Sequence, residues 1–115
     1  MLLNRISKAD ELGRAWNGYD FVVNRINPKG NKATVEKNVG NRWEWEPAGQ
    51  IKMAVNSARL ELEIPRSLLN LSGKPVNIEF KWNDNMQENG NIMDFYVNGD
   101  TAPGGRFNFV YNDNN

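Results

Sequence analysis

The sequence predicts an all-β domain, an antiparallel β-sandwich of the jelly-roll or immunoglobulin-like kind with one or two short helical turns. Apolar residues alternate with polar ones in run after run, as they do on strands that are buried on one face. Turn-forming residues separate these runs, since the chain contains ten Gly, five Pro and a high proportion of Asn. A barrel is the alternative, and the unequal lengths of the runs favour the sandwich.

The predicted strands, in chain order, cover residues 19–26, 33–39, 42–46, 51–55, 59–64, 77–82, 92–97 and 107–111. Helical turns are predicted at 7–12 and 65–70, and a tight turn at 99–105. The alternation is clear in the strand at 77–82, where Ile78, Phe80 and Trp82 form an apolar face. Lys81 then belongs to the opposite, polar face, because successive side chains of a strand point to opposite sides.

The composition excludes several kinds of chemistry. The 115 residues contain no Cys and no His, so disulfides, cysteine metal sites and imidazole bases are ruled out, and no cofactor is expected. Fourteen basic and 14 acidic side chains give a formal net charge of zero, which offers no bulk attraction to nucleic acid or an anionic membrane. No apolar run approaches the roughly 18 residues of a membrane span, and the first residues are too few and too polar for a signal peptide.

Several short segments occur together in an order and spacing that are fairly specific. They are residues 16–25, which begin Trp-Asn-Gly-Tyr-Asp, residues 60–69, 80–85 and 94–100, and finally Pro103 with 105–108. Together these segments resemble the C-terminal DOMON-like, family 9 carbohydrate-binding-module-like β-sandwich that is appended to many exported bacterial proteins. The resemblance runs from about Leu2 to Tyr111.

The resemblance has consequences for domain organisation. Such domains usually begin with further strands before the segment that residues 1–6 resemble, so a sandwich without its N-terminal strands is implied. A missing edge strand would expose an unpaired ladder, and a homo-oligomer is therefore expected. The domain is expected to occupy residues 1–111, with a frayed tail at 112–115. The resemblance also implies that the protein is extracytoplasmic or secreted.

Indoles and an oxygen-rich loop supply the candidate binding groups. The candidate ligand-binding residues are Trp16, Trp43, Trp82, Asp84 and Asn85. Indole faces stack on sugar rings, while carboxylates and amides bind hydroxyl groups. The alternative for Trp43 and Trp82 is burial in the core, because the alternation places both on apolar faces. The alternative for the loop at 83–91 is a solvated hairpin; its spacing does not fit an EF-hand, and no metal site is predicted.

Charged residues at the ends of apolar strands predict structural ion pairs. The residues concerned are Asp20, Arg25, Arg66, Asp94 and Arg106. Because a charge is stable inside a protein only when it is paired, at least one Asp–Arg pair is expected among them.

The residues and the resemblance together predict a non-catalytic accessory module that binds a polysaccharide or oligosaccharide, with neither nucleic acid nor membrane as a partner. Glycoside hydrolysis is not predicted, because Glu44 and Glu46 lie on the solvent face of their strand. The alternative function is a structural or protein-interaction sandwich that assembles through an exposed edge strand and has no sugar site.

Overall fold

The computed structural model describes residues 1–5, 19–26, 30–40, 42–84, 91, 94, 99–103 and 109–112. These residues form eight strands and one 3₁₀ helix. The strands are β1 (Leu2–Arg5), β2 (Phe21–Val23), β3 (Lys32–Asn38), β4 (Trp45–Asn56), β5 (Arg59–Glu63), β6 (Asn77–Asp84), β7 (Asp100–Ala102) and β8 (Phe109–Asn112). The 3₁₀ helix, Arg66–Leu69, lies between β5 and β6 and confirms the helical turn predicted there.

All described strand pairings are antiparallel, and the neighbours follow the order β5-β4-β3-β2-β1-β6. The first five strands form a meander, after which the chain returns so that β6 lies beside β1, as in a Greek key. At β6 the ladder divides, because β8 pairs with residues 77–80 and β7 forms a small second sheet with residues 82–84. The predicted all-β, antiparallel, sandwich-like fold is confirmed.

The core lies on the inner face of the sheet. Its buried members are Phe21, Val23, Ala33, Val35, Ile51, Met53 and Leu69. The alternation in β4 and β5 supplies this face, since Met53 pairs with Leu62 across the two strands. Leu68 and Leu69 of the 3₁₀ helix pack against the same cluster, so the helix covers part of the interior. Burial of these side chains stabilises the fold by about 1.5 to 3 kcal/mol for each large aliphatic or aromatic residue.

The outer face of the sheet also carries buried side chains. Val22, Glu36 and Lys81 lie in one row of the hydrogen-bond register, and each is buried. The sequence places Lys81 on a solvent-facing side, and this expectation is wrong: its relative exposure is 0%. The pattern of alternation identified the correct side of the strand but could not indicate that this side is covered.

Several predicted boundaries change in the structure. The long strand β4 contains the predicted strand at 51–55 and only the last two residues, Trp45 and Glu46, of the one predicted at 42–46, and the turn predicted at 99–105 contains the short strand β7. Asn112, which the sequence assigns to a frayed tail, is the last residue of β8 and pairs with Asn77. The strand predicted at 92–97 and the helical turn at 7–12 lie almost wholly outside the described residues, although Asp94 itself has helical geometry.

The first strand is not at an edge of the sheet. β1 pairs with β2 on one side and with β6 on the other. The exposed ladder that the resemblance implies at the start of the domain is therefore not at β1. Within the described part of the chain, the sheet instead ends at β5, which pairs with β4.

Candidate functional site

An open cavity of about 480 Å³ lies between β5 and the paired ends of β6 and β7. Its apolar wall includes Leu60 and Leu62 of β5 and the indole of Trp82. Its polar residues are Asn24, Asn83, Asp84, Asp100 and Thr101. The cavity has the volume and the mixture of apolar surface and a few polar groups that are typical of small-molecule sites.

The pairing of β6 with β7 assembles the polar side of this cavity. Trp82 lies opposite Ala102, and Asp84 lies opposite Asp100. Asn83, between them, lies opposite Thr101. A residue and its cross-strand partner have Cβ atoms about 5 Å apart, so this short ladder places Asp84 and Asp100 close together, on the same side of the strands as the indole of Trp82.

Trp82 is half-buried, and its ring makes an edge-to-face contact with Phe80, with centroids 6.5 Å apart. Since Trp82 lies in the same register row as Val23, its side chain belongs to the inner face of the sheet. The prediction that Trp82 continues the face of Ile78 and Phe80 is consistent with this position. The indole is at the end of that face, where the interior opens into the cavity.

Asn24, at the end of β2, is the most unusual residue of the cavity wall. Its backbone has a left-handed φ of 65°, and its backbone N–H donates to the carbonyl of Thr34 at 2.9 Å. Its side-chain Oδ1 is buried, and no described residue donates a hydrogen bond to it. Buried acceptors are nearly always satisfied in folded proteins, and an ordered internal water is the usual partner of such an atom.

Trp43 lies in a different part of the domain. It is in the connection between β3 and β4, and its ring packs edge-to-face against Trp45 with centroids 5.2 Å apart. The register places Trp45 opposite Asn38, which is at the other end of the sheet from Trp82. Both indoles are half-buried. The sequence predicts Trp43 and Trp82 in one site, but the sheet does not bring these two residues together.

Of the remaining predicted site and ion-pair residues, some lie outside the described residues and the others have a described position. Trp16, Asn85 and Arg106 lie outside the described residues. Arg25 forms an ion pair with Glu36, a residue outside the predicted set, and Arg66 donates from Nη1 to the carbonyl of Lys74 at 3.1 Å. Asp20 is half-buried and Asp94 is buried.

Two buried amino groups lie next to the candidate site. Lys81 donates from Nζ to the carbonyl of Pro103 at 2.7 Å, which ties β6 to the segment that follows β7. Burial lowers the pKa of Lys81 from its ordinary value of 10.5. The α-amino group of Met1 donates to the carbonyl of Val23 at 2.9 Å, and burial lowers its pKa from 8.0 to about 5.

The structure offers no evident metal centre in the part of the chain that it describes. Across those residues, no group of three or more His, Cys, Asp or Glu side chains is placed to hold an ion. No helix among the same residues is both long and apolar enough to cross a membrane.

Sequence reasoning identified Trp82 and Asp84 but missed Asn24, Asp100 and Thr101 as members of one cavity. Asp100 and Thr101 were assigned to a turn, because three residues give too short a run for alternation to be visible. Asn24 gave a weak signal, since Asn that follows a β-rich run is one of the few residues that tolerate positive φ.

The chain was also compared with models of protein families, with curated proteins and with solved structures, and none of these comparisons found a match.

Proposed function

We propose that this chain binds a carbohydrate, without acting on it, in the cavity beside Trp82. The observation that carries the proposal is the open cavity itself, in which the indole of Trp82 adjoins the polar residues Asp84, Asp100 and Thr101. Sugar hydroxyls would hydrogen-bond to these polar side chains. The same sugar would present an apolar ring face to the indole.

The composition of the wall supports a sugar over a purely apolar or a charged ligand. Asn24, Thr101 and Asp100 offer amide, hydroxyl and carboxylate groups, which together match hydroxyls that both donate and accept. Trp82 and Leu62 provide the apolar surface on which a pyranose ring would lie. The resemblance noted in the sequence, in which the segment 80–85 takes part, leads to the same expectation.

The proposal is for binding and not for hydrolysis. A glycosidase needs a carboxylic acid held in a water-poor environment, where it can keep its proton and donate it to the leaving group. The carboxyl groups at this cavity, Asp84 and Asp100, belong to residues that are exposed to solvent. They are suited to accept hydrogen bonds from hydroxyl groups.

The test is a titration with a panel of soluble oligosaccharides, followed by tryptophan fluorescence and by isothermal titration calorimetry. A sugar that binds is expected to change the tryptophan emission of the wild-type chain. It should change the emission of Trp43→Phe, the matched control, in the same way. The response is expected to disappear in Trp82→Phe. A panel without any response, or a Trp82→Phe variant that binds as well as the wild type, would overturn the proposal.

A second variant isolates the buried acceptor. Asn24→Gly removes Oδ1 but keeps a residue that adopts the left-handed backbone conformation easily. We expect this variant to fold and to bind the sugar more weakly, since a polar side chain of the cavity wall is lost.

We also propose self-association as a second candidate function, because β5 is the last strand on its side of the sheet in the described part of the chain and most of its side chains are exposed. Val55 and Leu60 form a cross-strand pair there, with 65% and 43% of their surfaces exposed. β5 carries Arg59, Glu61 and Glu63, so two copies paired antiparallel would place Arg59 of one copy opposite a glutamate of the other.

Light scattering after size-exclusion chromatography tests this candidate. Dimerisation is expected to weaken in Arg59→Glu and to return when Glu61→Arg and Glu63→Arg are added to it. A wild-type chain that stays monomeric at high concentration would eliminate self-association and leave the sugar proposal untouched.

A further inference from the structure

A second open cavity of about 290 Å³, the inner cavity, adjoins the first one on the inner face of the sheet. Its wall is mainly aliphatic and aromatic, and it includes Ile78 and Phe80 of β6, and Ile64, Leu71 and Val76 of the connection between β5 and β6. Arg66 is also at this wall, where its guanidinium donates to the carbonyl of Lys74. The second cavity therefore has few groups that could hydrogen-bond to a sugar.

The two cavities have part of their walls in common. Met1, Leu60, Leu62 and Trp82 line both of them. Trp82 consequently stands at the boundary, with the polar residues of β7 on one side and the apolar residues of β6 on the other. Leu60 and Leu62 provide a continuous apolar floor that passes from one cavity to the other.

We infer that the ligand is a sugar that carries an apolar substituent, such as an alkyl or aryl glycoside. The sugar occupies the cavity beside Asn24 and Asp100, and the substituent enters the cavity lined by Ile78 and Phe80. This inference rests on the proposed function and extends it to the class of ligand. It explains why an apolar cavity adjoins a polar one along a shared wall, since an unsubstituted sugar would leave the inner cavity empty.

The energetics give a quantitative expectation. Each methylene moved from water into an apolar cavity strengthens binding by about three- to fourfold. Affinity should therefore increase along the series methyl, butyl, hexyl and octyl glucoside until the inner cavity is full. A sugar that bound without using the inner cavity would show the same affinity across the series.

Calorimetry with this series provides the test, and each glucoside is kept below its critical micelle concentration. Sodium octanoate is the probe for an alkyl chain without a sugar. Affinity that rises with chain length, together with weak binding of octanoate, is the expected result. Equal affinity across the series would overturn the inference and leave the sugar proposal standing. Tight binding of octanoate with no contribution from the glucose would overturn both, as would the absence of all binding.

Two variants separate the parts of the site. Val76→Phe is expected to fill the inner cavity and to abolish the dependence on chain length, while methyl glucoside binds as before, because Val76 lines the inner cavity and not the outer one. Asn24→Gly is expected to do the reverse, weakening every glucoside by a common factor. Val76→Met serves if the larger side chain prevents folding. If both Val76 variants fold and keep the full dependence on chain length, the substituent lies elsewhere and the inference is wrong.

Discussion

Arg25 holds the buried carboxylate of Glu36 through two hydrogen bonds, from Nε to Oε1 at 2.9 Å and from Nη2 to Oε2 at 2.7 Å. The Glu36 side chain is 1% exposed and the Arg25 side chain 31%, so the pair joins the buried outer face of β3 to the segment after β2. A two-point arginine–carboxylate contact fixes orientation as well as charge.

Removing one partner of this pair should destabilise the fold strongly. Arg25→Leu leaves the Glu36 carboxylate buried without its guanidinium, and we expect a loss of about 2 to 4 kcal/mol in the free energy of unfolding. The double variant Arg25→Leu with Glu36→Leu should be more stable than the single variant, because no buried charge is left. Urea denaturation of the two variants measures the difference, and a double variant less stable than Arg25→Leu would contradict this account.

Gly49 and Leu68 give a second prediction, about packing. A Cβ added at Gly49 would lie 2.9 Å from Cδ2 and 3.2 Å from Cδ1 of Leu68, both closer than ordinary contact. Gly49→Ala should therefore force the Leu68 side chain out of its present rotamer and destabilise the domain by about 1 kcal/mol. Thermal unfolding of Gly49→Ala, Leu68→Ala and the double variant is the measurement. The double variant should lose less stability than the sum of the single changes, and simple additivity would show that the two residues are not in contact.

The buried α-amino group of Met1 makes stability depend on pH. Its pKa is 8.0 in an exposed chain and about 5 in the folded one, so the unfolded chain binds more protons between these values. The free energy of unfolding should therefore rise from pH 5 to pH 8, by up to about 4 kcal/mol. Below pH 5 the folded form gains its own proton, and the dependence should end.

The dependence of stability on pH can be measured without interference from side chains. The chain has no His and no Cys, so no side chain with an ordinary pKa in that interval competes with the amine. Urea denaturation of the 115-residue chain at several pH values gives the slope, and the chemical shift of ¹³C-labelled Met1 gives the pKa directly. A stability that does not change between pH 5 and pH 8 would show that the amine is exposed.

Lys81 should add a second pH dependence at higher pH. Because burial lowers its pKa below 10.5, the unfolded chain binds the additional proton as the pH approaches that value, and stability should rise there. Lys81→Met removes the charge, and this rise should be absent from the variant. If the wild type and Lys81→Met show the same profile above pH 8, the ammonium group is not desolvated.

The same variant should also affect the candidate site. Lys81 donates to the carbonyl of Pro103, directly after the strand that carries Asp100 and Thr101. Loss of this contact should loosen β7 and weaken sugar binding, although Lys81 is on the other face of β6 from the cavity. Calorimetry with the best sugar of the panel compares Lys81→Met with the wild type, and unchanged affinity would show that β7 is held by its ladder alone.

The fold class and the inner faces of the best-patterned strands follow from the sequence. Alternation at 59–64 and 77–82 indicates which residues lie on the inner face, because the two-residue period is a property of each strand alone. Arg25 is in an ion pair, since a charge among apolar residues needs a partner, but that partner is Glu36 and not one of the aspartates that the sequence led us to expect.

Which of these residues meet depends on the tertiary structure. The pairing of β6 with β7 brings Asp100 and Thr101 to the cavity that Trp82 lines, far from Trp43, and Glu36 becomes the partner of Arg25. Burial of Lys81 is likewise set by what covers the outer face of β6. These outcomes depend on contacts between residues that are distant along the chain, and a local pattern contains no information about which strands will lie side by side.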